Sequence, residues 1–242
     1  MRILVIADIH ANLTALEAVI KEAGSFDSIW CLGDLVGYGP DPNECIELIR
    51  SYPDSICLLG NHDAAALGQI NLETFNREAR LSAHWMKTAL NTRSLEYLSG
   101  LPEKVIVDGV TLVHGSPRNP VWEYLLDTYI AAANFSHFDT LACFVGHTHL
   151  PIAYSLRHDS SEMEWKLMAA DETFYLDQRT ILNPGSVGQP RDHDPRASFA
   201  IYDSHQRVWE ARRASYDISS VQSRIFDAGL PRRHGLRLAE GW

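Results

Sequence analysis

The first 60 residues alternate short apolar runs with stretches of helical spacing, and this alternation is the strongest constraint on the fold. It predicts, in order, a strand at 2–7, a helix at 13–23, a strand at 28–32, a helix from 41–44 to about 51, and a strand at 55–59. Asn12 is placed to cap the first helix, and Asp41-Pro42-Asn43-Glu44 has the residues of a second helix start. A βαβαβ unit of this kind builds a parallel sheet whose strands have their carboxyl ends at one edge.

Acid, imidazole and amide side chains recur next to glycine at the ends of the predicted strands. The five blocks are Asp8-Ile9-His10, Gly33-Asp34, Gly60-Asn61-His62-Asp63, His114-Gly115 and Gly146-His147-Thr148-His149. Residues two apart in an extended segment point to the same side, so Asp8 and His10 can reach one ion, and Asp34 is a candidate bridge between two. Mixed oxygen and nitrogen ligands favour Mn, Fe, Zn, Co or Ni over calcium. The blocks predict a two-metal centre that hydrolyses a phosphate ester.

The remainder of the chain predicts mostly strands. We expect two helices within 72–99, a β-hairpin at 104–113 that turns at Asp108-Gly109, a strand at 141–145 and a helix at 219–228. Five strands, expected to be antiparallel, fall at 152–156, 164–169, 179–182, 198–202 and 207–213. We assign residues 1–230 to a single domain and expect a poorly ordered or peripheral tail at 231–242.

Charge and composition narrow the classes of partner. The formal net charge is -10 and there is no long basic run, so nucleic acid is an unfavourable partner. Two divalent ions would bring four positive charges against Asp8 and Asp34, which would make the site cationic. The apolar run that ends at Asp8 is too short for a signal peptide or a membrane span, so we expect a cytoplasmic protein with no membrane partner. The four cysteines have no CxxC spacing, and we expect buried, reduced thiols.

The blocks DxH, GDxxGYG, GNHD, HG and GHTH, in this order over about residues 1–202, resemble the calcineurin-like metallophosphoesterase family. The later segment from Asn183 to Arg191, with the sequence NPGSVGQPR, resembles the small bacterial phosphodiesterase-like branch of that family. The resemblance implies an α/β fold with four layers, an α/β/β/α sandwich in which two mixed sheets are flanked by helices. It also implies that the metals lie at strand ends between the two sheets.

The resemblance further implies a role for each matching residue. The first metal would be held by Asp8, His10, Asp34 and His149, and the second by Asp34, Asn61, His114 and His147. A hydroxide that bridges the metals would be the nucleophile. His62, outside the coordination shell, would give a proton to the leaving oxygen or hydrogen-bond the phosphoryl group, and Asp63 would orient or polarise His62.

Three further residues are candidates for binding the substrate, a phosphate ester for which a phosphodiester is favoured and a nucleotide is one possibility. Arg191 and Arg118 are candidate phosphate clamps, with surface salt bridges as the alternative. Asn12 either only caps its helix or also approaches the substrate, and Tyr38 either lines the rim or packs on its own loop. The six histidines outside the blocks are expected at surface or core positions: His84, His137, His158, His193, His205 and His234.

Two other functions remain open at this level. One is a phosphomonoesterase that acts on a protein or a nucleotide, and the other is a non-catalytic protein-binding scaffold on the same fold. Relatives that become scaffolds lose metal ligands or the imidazole that assists the leaving group. This chain keeps both, which favours an enzyme. No feature of the sequence predicts an oligomeric state.

Overall fold

The computed structural model describes residues 1–156 and 163–242, and its strands form two mixed sheets of six strands each. The strands are β1 (Arg2–Ile6), β2 (Ser28–Cys31), β3 (Ile56–Cys57), β4 (Lys104–Val107), β5 (Val110–Val113), β6 (Ala142–Phe144), β7 (Pro151–Leu156), β8 (Met163–Leu167), β9 (Thr173–Tyr175), β10 (Thr180–Pro184), β11 (Ala197–Asp203) and β12 (Val208–Ala214). The helices are α1 (Leu13–Ala23), α2 (Pro42–Arg50), α3 (Asn61–Ala66), α4 (Arg77–Ala89), α5 (Thr92–Ser99), α6 (Thr128–Asn134), α7 (Ile218–Asp227) and α8 (Arg232–Leu236). His158 lies outside the described residues.

The first sheet has the order β3-β2-β1-β11-β12-β9, and the second has the order β4-β5-β6-β10-β7-β8. The predicted parallel unit β1-β2-β3 is confirmed, and β11 continues that sheet antiparallel to β1, with Arg2 opposite Asp203. The hairpin β4-β5 is also confirmed, and Asp108 and Gly109 both have the positive φ of a type I′ turn. The prediction that every strand after residue 151 is antiparallel is wrong for β10, which runs parallel to β6.

Two layers of apolar side chains hold the sheets in place. One layer lies between the sheets and joins residues such as Val5 and Trp30 of the first sheet to Leu112 and Phe144 of the second. The other lies between the first sheet and its helices, where Leu16 of α1 and Ile46 of α2 are fully buried. A smaller cluster around Phe135 covers the outer face of the second sheet. The four-layer sandwich is therefore confirmed, and both sheets bring their strand ends to one edge.

Local signals account for most of the helix starts. The Asn12 side chain caps α1 by accepting a hydrogen bond from the Ala15 amide at 3.1 Å, as predicted. Asp41 precedes Pro42 at the start of α2 but makes no capping bond, because its carboxylate binds the Leu13 amide and Arg224 instead. The short elements α3, α6, β9 and α8 were not predicted. The four cysteines are free and buried, and no helix in the described ranges is long and apolar enough to cross a membrane.

The C-terminal segment, residues 231–242, differs most from its prediction. It forms α8 and a short 3-10 turn, and it packs against α7, with His234 and Leu238 buried. The His234 ring lies 4.7 Å from the ring of Tyr38. The expectation of a poorly ordered or peripheral tail is therefore wrong, because the segment covers apolar surface next to the strand ends. The domain boundary at residue 230 stays a prediction.

Burial of His234 predicts a pH dependence of folding. Burial lowers the pKa of His234 to about 4, although the Glu78 carbonyl and carboxylate oppose this effect. In the unfolded chain a histidine takes up its proton near pH 6.5, so His234 supports full stability above pH 6.5 and lowers it as the pH falls toward 4. We expect His234→Gln to reduce the slope of unfolding free energy against pH in that window by about 1.4 kcal/mol per pH unit.

Urea unfolding between pH 4.5 and 7 measures this slope. The matched control is His205→Gln, which changes an exposed histidine. Slopes that are equal in the wild type and in His234→Gln would contradict the prediction.

Candidate metal centre

The five blocks meet at the edge where both sheets end their strands. Asp8 follows β1, Asp34 follows β2, and Asn61 opens α3 just after β3. His114 follows β5, and His147 and His149 lie between β6 and β7. The two sheets are joined here by a hydrogen bond of 3.0 Å that the His147 amide donates to the Asp8 carboxylate. All of the predicted metal ligands are buried and adjacent.

Their side chains form three groups of possible metal ligands. In each group the ligand atoms lie within 4.8 Å of one another, and the groups are Asp8/His10/His149, His10/Asp34/His62 and Asp34/His114/His147. Asp34 Oδ2 is 3.7 Å from His10 Nε2 and 3.5 Å from His114 Nε2, so this atom lies between two groups. Asp34 Oδ2 is also buried without a hydrogen-bond partner in the described part of the chain. A buried, unpartnered carboxylate oxygen fits a metal ligand.

Four imidazoles turn lone pairs toward the same space. One ring nitrogen of each histidine faces a backbone carbonyl: Val36 for His10 at 3.1 Å, Leu32 for His114 at 2.9 Å, Trp122 for His147 at 3.1 Å and Gln189 for His149 at 2.6 Å. A carbonyl can only accept, so that nitrogen carries the N–H and the other has a bare lone pair. His10 Nε2 and His149 Nε2 are 3.1 Å apart, and His114 Nε2 and His147 Nδ1 are 3.2 Å apart. Such facing lone pairs repel unless a cation lies between them.

Burial sets the protonation of the same groups. It lowers the pKa values of His10, His147 and His149 well below their ordinary value, and neighbouring positive groups add to the effect. Burial raises the pKa of Asp8 to about 7 and raises that of Asp34 well above its ordinary value. Divalent ions bind neutral imidazoles and ionised carboxylates, and a bound cation would offset the cost of ionising these buried acids. The donor set therefore fits metal.

The backbone at these positions is strained. Asp8, His10, Asp34, His147 and His149 all have positive φ, between 49° and 67°. This region is uncommon for residues other than glycine, and such strain concentrates at functional sites. Neighbouring glycines allow close contact, since a Cβ on Gly60 would lie 2.1 Å from Asp34 Oδ1. This backbone conformation directs the side chains of the proposed ligands toward the centre.

His62 lies beside this group with its ring between aromatic neighbours. The ring centroid is 4.4 Å from that of Tyr38 and 5.0 Å from those of His10 and Phe75. Its ring nitrogens make no hydrogen bond with other described residues, while its backbone amide donates to Asp34 Oδ1 at 2.8 Å. Burial and the charge of Arg191 lower the pKa of His62 well below its ordinary value. The ring is neutral and its polar atoms remain available to a substrate.

The Asp63 carboxylate makes its hydrogen bonds to the backbone and not to the His62 ring, so its predicted role of orienting His62 stays a prediction. Its carboxylate accepts hydrogen bonds from the backbone amides of Asp34 at 2.9 Å, Gly60 at 3.0 Å and Val36 at 3.1 Å. Consecutive helical residues point about 100° apart, so Asp63 faces the β2 loop while His62 faces the centre. Asp63 fixes the loop that carries Asp34.

The three predicted substrate-binding residues have different surroundings in the structure. Asn12 caps α1 and donates to the Gly188 carbonyl at 3.1 Å, so both ends of its amide are engaged within the protein. Arg118 forms a salt bridge with Glu123 on the surface, which is the alternative interpretation. Arg191 lies near the centre, since it lines the same cleft as Thr148 and as Tyr38, which packs on His10. Burial and, after it, the Arg191 charge lower the pKa of His149, and the Arg191 Nε is buried without a partner among the described residues.

Two aromatic residues complete the surroundings. Tyr38 packs on His10 with ring centroids 4.6 Å apart, so it lies beside the centre, and it also packs in a cluster with Ala65, Phe75, Ala79 and Ala83. Tyr124 stacks on His147 at 3.6 Å and was not predicted. No sequence signal could have found Tyr124, since it lies in a loop without a motif and reaches the centre only through the fold.

Known proteins are similar to this chain in sequence and in fold. A model of the calcineurin-like phosphoesterase superfamily domain matches residues 1–207. An uncharacterized protein of Methanocaldococcus jannaschii is 38% identical over 248 residues, which cover 99% of this chain and 98% of that protein. The crystal structure of a metallophosphoesterase from Sphaerobacter thermophilus is 46% identical, has a TM-score of 0.91, and matches 100% of this chain and 99% of its own. A local match of 38% identity over 63 residues joins 24% of this chain to 22% of the symmetrical bis(5′-nucleosyl)-tetraphosphatase of Pectobacterium atrosepticum.

Proposed function

The chain belongs to the calcineurin-like phosphoesterase superfamily and is a metal-dependent phosphoesterase, and from this premise we propose that it hydrolyses a phosphodiester with two divalent ions. Asp8, His10, Asp34 and His149 would hold one ion, and Asp34, Asn61, His114 and His147 the other. The observation that carries this proposal is Asp34 Oδ2, unpartnered among the described residues and 3.7 and 3.5 Å from imidazole nitrogens on its two sides.

The chemistry is transfer of a phosphoryl group to water. When bound, divalent ions would lower the pKa of water and withdraw charge from the phosphoryl oxygens. The oxygen of water bonds to phosphorus, the bond from phosphorus to the leaving oxygen breaks, and the leaving oxygen departs with a proton. The products of a diester are an alcohol and a phosphate monoester.

The chain's own residues bind and orient the substrate. The Arg191 guanidinium, beside the buried histidines, would hold phosphoryl oxygens with paired N–H groups. The neutral ring of His62 has one N–H, with which it would donate a hydrogen bond to the substrate. The anionic substrate would raise the pKa of His62, and a protonated ring could then give its proton to the leaving oxygen.

A nucleotide-like substrate is the class that we propose. It is supported by the local match to a symmetrical bis(5′-nucleosyl)-tetraphosphatase, although that match covers only 24% of this chain. The enclosed position of the centre, whose ligands are all buried, also favours a small substrate over a folded protein.

Turnover of two chromogenic esters tests the proposal. We expect protein loaded with Mn to hydrolyse bis-p-nitrophenyl phosphate faster than p-nitrophenyl phosphate. His10→Ala, which removes a proposed ligand, serves as the inactive control. Turnover no faster than this variant on both esters would contradict the enzyme, and a preference for the monoester would contradict the diester.

A further inference from the structure

A cleft of about 590 Å³ opens beside the metal centre, and the C-terminal segment forms one of its walls. Tyr38, Thr148 and Arg191 line the side next to the centre. Arg233 and Arg237 of the C-terminal segment line the same cleft. Because Tyr38 also packs on His10 with ring centroids 4.6 Å apart, the cleft is continuous with the surroundings of the proposed ligands. A substrate bound at the centre would therefore have the two arginines of the C-terminal segment within the same cleft.

The charges that line this cleft are predominantly positive. Three arginines, Arg191, Arg233 and Arg237, face a single acidic side chain, Glu78. The residues that line the cleft are thus net positive, whereas the whole chain has a formal net charge of -10. A positive cleft in an acidic protein selects an anion locally.

Among the described residues, the three arginines have no acidic side chain as a partner, unlike several other arginines near them in the fold or the sequence. Arg118, Arg196, Arg213 and Arg224 each pair with an aspartate or glutamate. Within the described ranges no salt bridge joins Arg191, Arg233 or Arg237 to such a side chain. Arg191 donates to the Gln189 amide oxygen at 3.4 Å and also contacts the Tyr124 side chain, and Arg237 donates to the backbone oxygen of Trp242. Burial and, after it, the nearby positive charge of Arg191 lower the pKa of Arg237 to about 10.

We infer that the substrate has more than one phosphate group, and that Arg233 and Arg237 bind the phosphate next to the one that is cleaved. This inference rests on the proposed function, and it specifies the substrate class as an oligophosphate ester. Planar guanidinium groups match phosphate oxygens in pairs. The volume of the cleft, about 590 Å³, lies within the range of about 300–1,000 Å³ typical of small-molecule sites, so the ligand is a small molecule rather than a polymer.

Kinetics on two substrates test the inference. The variants are Arg233→Gln and Arg237→Gln, and the substrates are a dinucleoside tetraphosphate and bis-p-nitrophenyl phosphate, which has a single phosphate. For each variant we expect a KM for the tetraphosphate that is about 10-fold to 100-fold higher, because a hydrogen bond to a charged group is lost. The kcat/KM for bis-p-nitrophenyl phosphate should change less than twofold.

The matched control is Arg232→Gln on the same helix. Arg232 is exposed, stacks over Phe226 at 4.3 Å and lies outside the cleft, so both substrates should be unaffected. Arg233 is also exposed, so its replacement preserves the fold even if Arg237→Gln disturbs the contact with Trp242. Equal changes on both substrates, or a tetraphosphate KM like that of the control, would overturn the inference.

Calorimetry with inorganic tripolyphosphate and orthophosphate separates this inference from the proposed function. Wild-type protein, Mn-loaded and metal-free, should bind tripolyphosphate more tightly than Arg233→Gln does, while orthophosphate shows a smaller difference. If no ester is hydrolysed but this difference is observed, the proposed function fails and the anion subsite stands. If bis-p-nitrophenyl phosphate is hydrolysed but the variant binds tripolyphosphate as tightly as wild type, only the subsite fails.

Discussion

Replacing Asp34 with Asn should remove metal from both halves of the centre and lower turnover of bis-p-nitrophenyl phosphate by about 10³-fold or more, which is about 4 kcal/mol of barrier. The reason is the position of Asp34 Oδ2, which lies 3.7 Å from His10 Nε2 and 3.5 Å from His114 Nε2. An amide nitrogen at this position would donate hydrogen bonds to the imidazoles instead of binding a cation. Elemental analysis after dialysis, together with the ester assay, measures both effects.

The same substitution should leave the metal-free fold intact. Burial raises the pKa of Asp34, so its ionised form costs stability at neutral pH when no cation is bound, and a neutral amide avoids that cost. The melting temperature of metal-free Asp34→Asn should therefore equal or exceed that of the metal-free wild type. Asp139→Asn is the matched control, because Asp139 is exposed. Two fully occupied metal sites in Asp34→Asn would show that Asp34 is not the bridge.

Replacing His62 with Ala should have the opposite pattern, with metal retained and turnover lowered by about 10²–10⁴-fold, the usual contribution of a positioned proton donor. The His62 ring nitrogens form no hydrogen bond with other described residues. In contrast, one ring nitrogen of each of His10, His114, His147 and His149 is hydrogen-bonded to a backbone carbonyl. The loss should be largest for alkyl leaving groups, because an alkoxide needs a proton more than p-nitrophenolate does.

A series of esters with different leaving groups, assayed at equal metal content, measures this dependence. His84→Ala is the control, since it removes an exposed imidazole. Equal losses for aryl and alkyl esters would exclude proton donation and leave the hydrogen bond to the phosphoryl group. Loss of metal would instead make His62 a ligand, as its position near His10 and Asp34 allows.

Local patterns predict the first half of this fold because its strands and helices neighbour each other along the chain. The apolar run of β1 and the cap at Asn12 suffice to place β1 and α1. They do not show that β11 pairs with β1, with Arg2 opposite Asp203, because nothing in either segment specifies a partner so distant along the chain. The second sheet and its packing on the first were therefore expected from family resemblance alone.

Adjacency in sequence was a poor guide to contacts within the centre. Asp63 follows His62 but turns toward the backbone of the β2 loop, since α3 rotates the two side chains apart. Arg118 follows the His114 block but is paired with Glu123, five residues later. Conversely, Arg233 and Arg237 belong to a segment without a motif, and only the packing of α8 on α7 brings them to the cleft. Motifs identify residues that chemistry requires, whereas surrounding residues depend on packing.

The hydrogen bond from the His147 amide to Asp8, 139 residues apart in sequence, has a kinetic consequence. The proposed ligands come from both sheets, so the complete set cannot assemble until the sheets have docked. A metal ion held by the complete set would therefore crosslink the chain only once the two sheets have docked. Such a crosslink does little for the rate of folding and mainly slows unfolding. For this protein, bound metal would stabilise the folded structure once it has formed rather than direct the chain toward it.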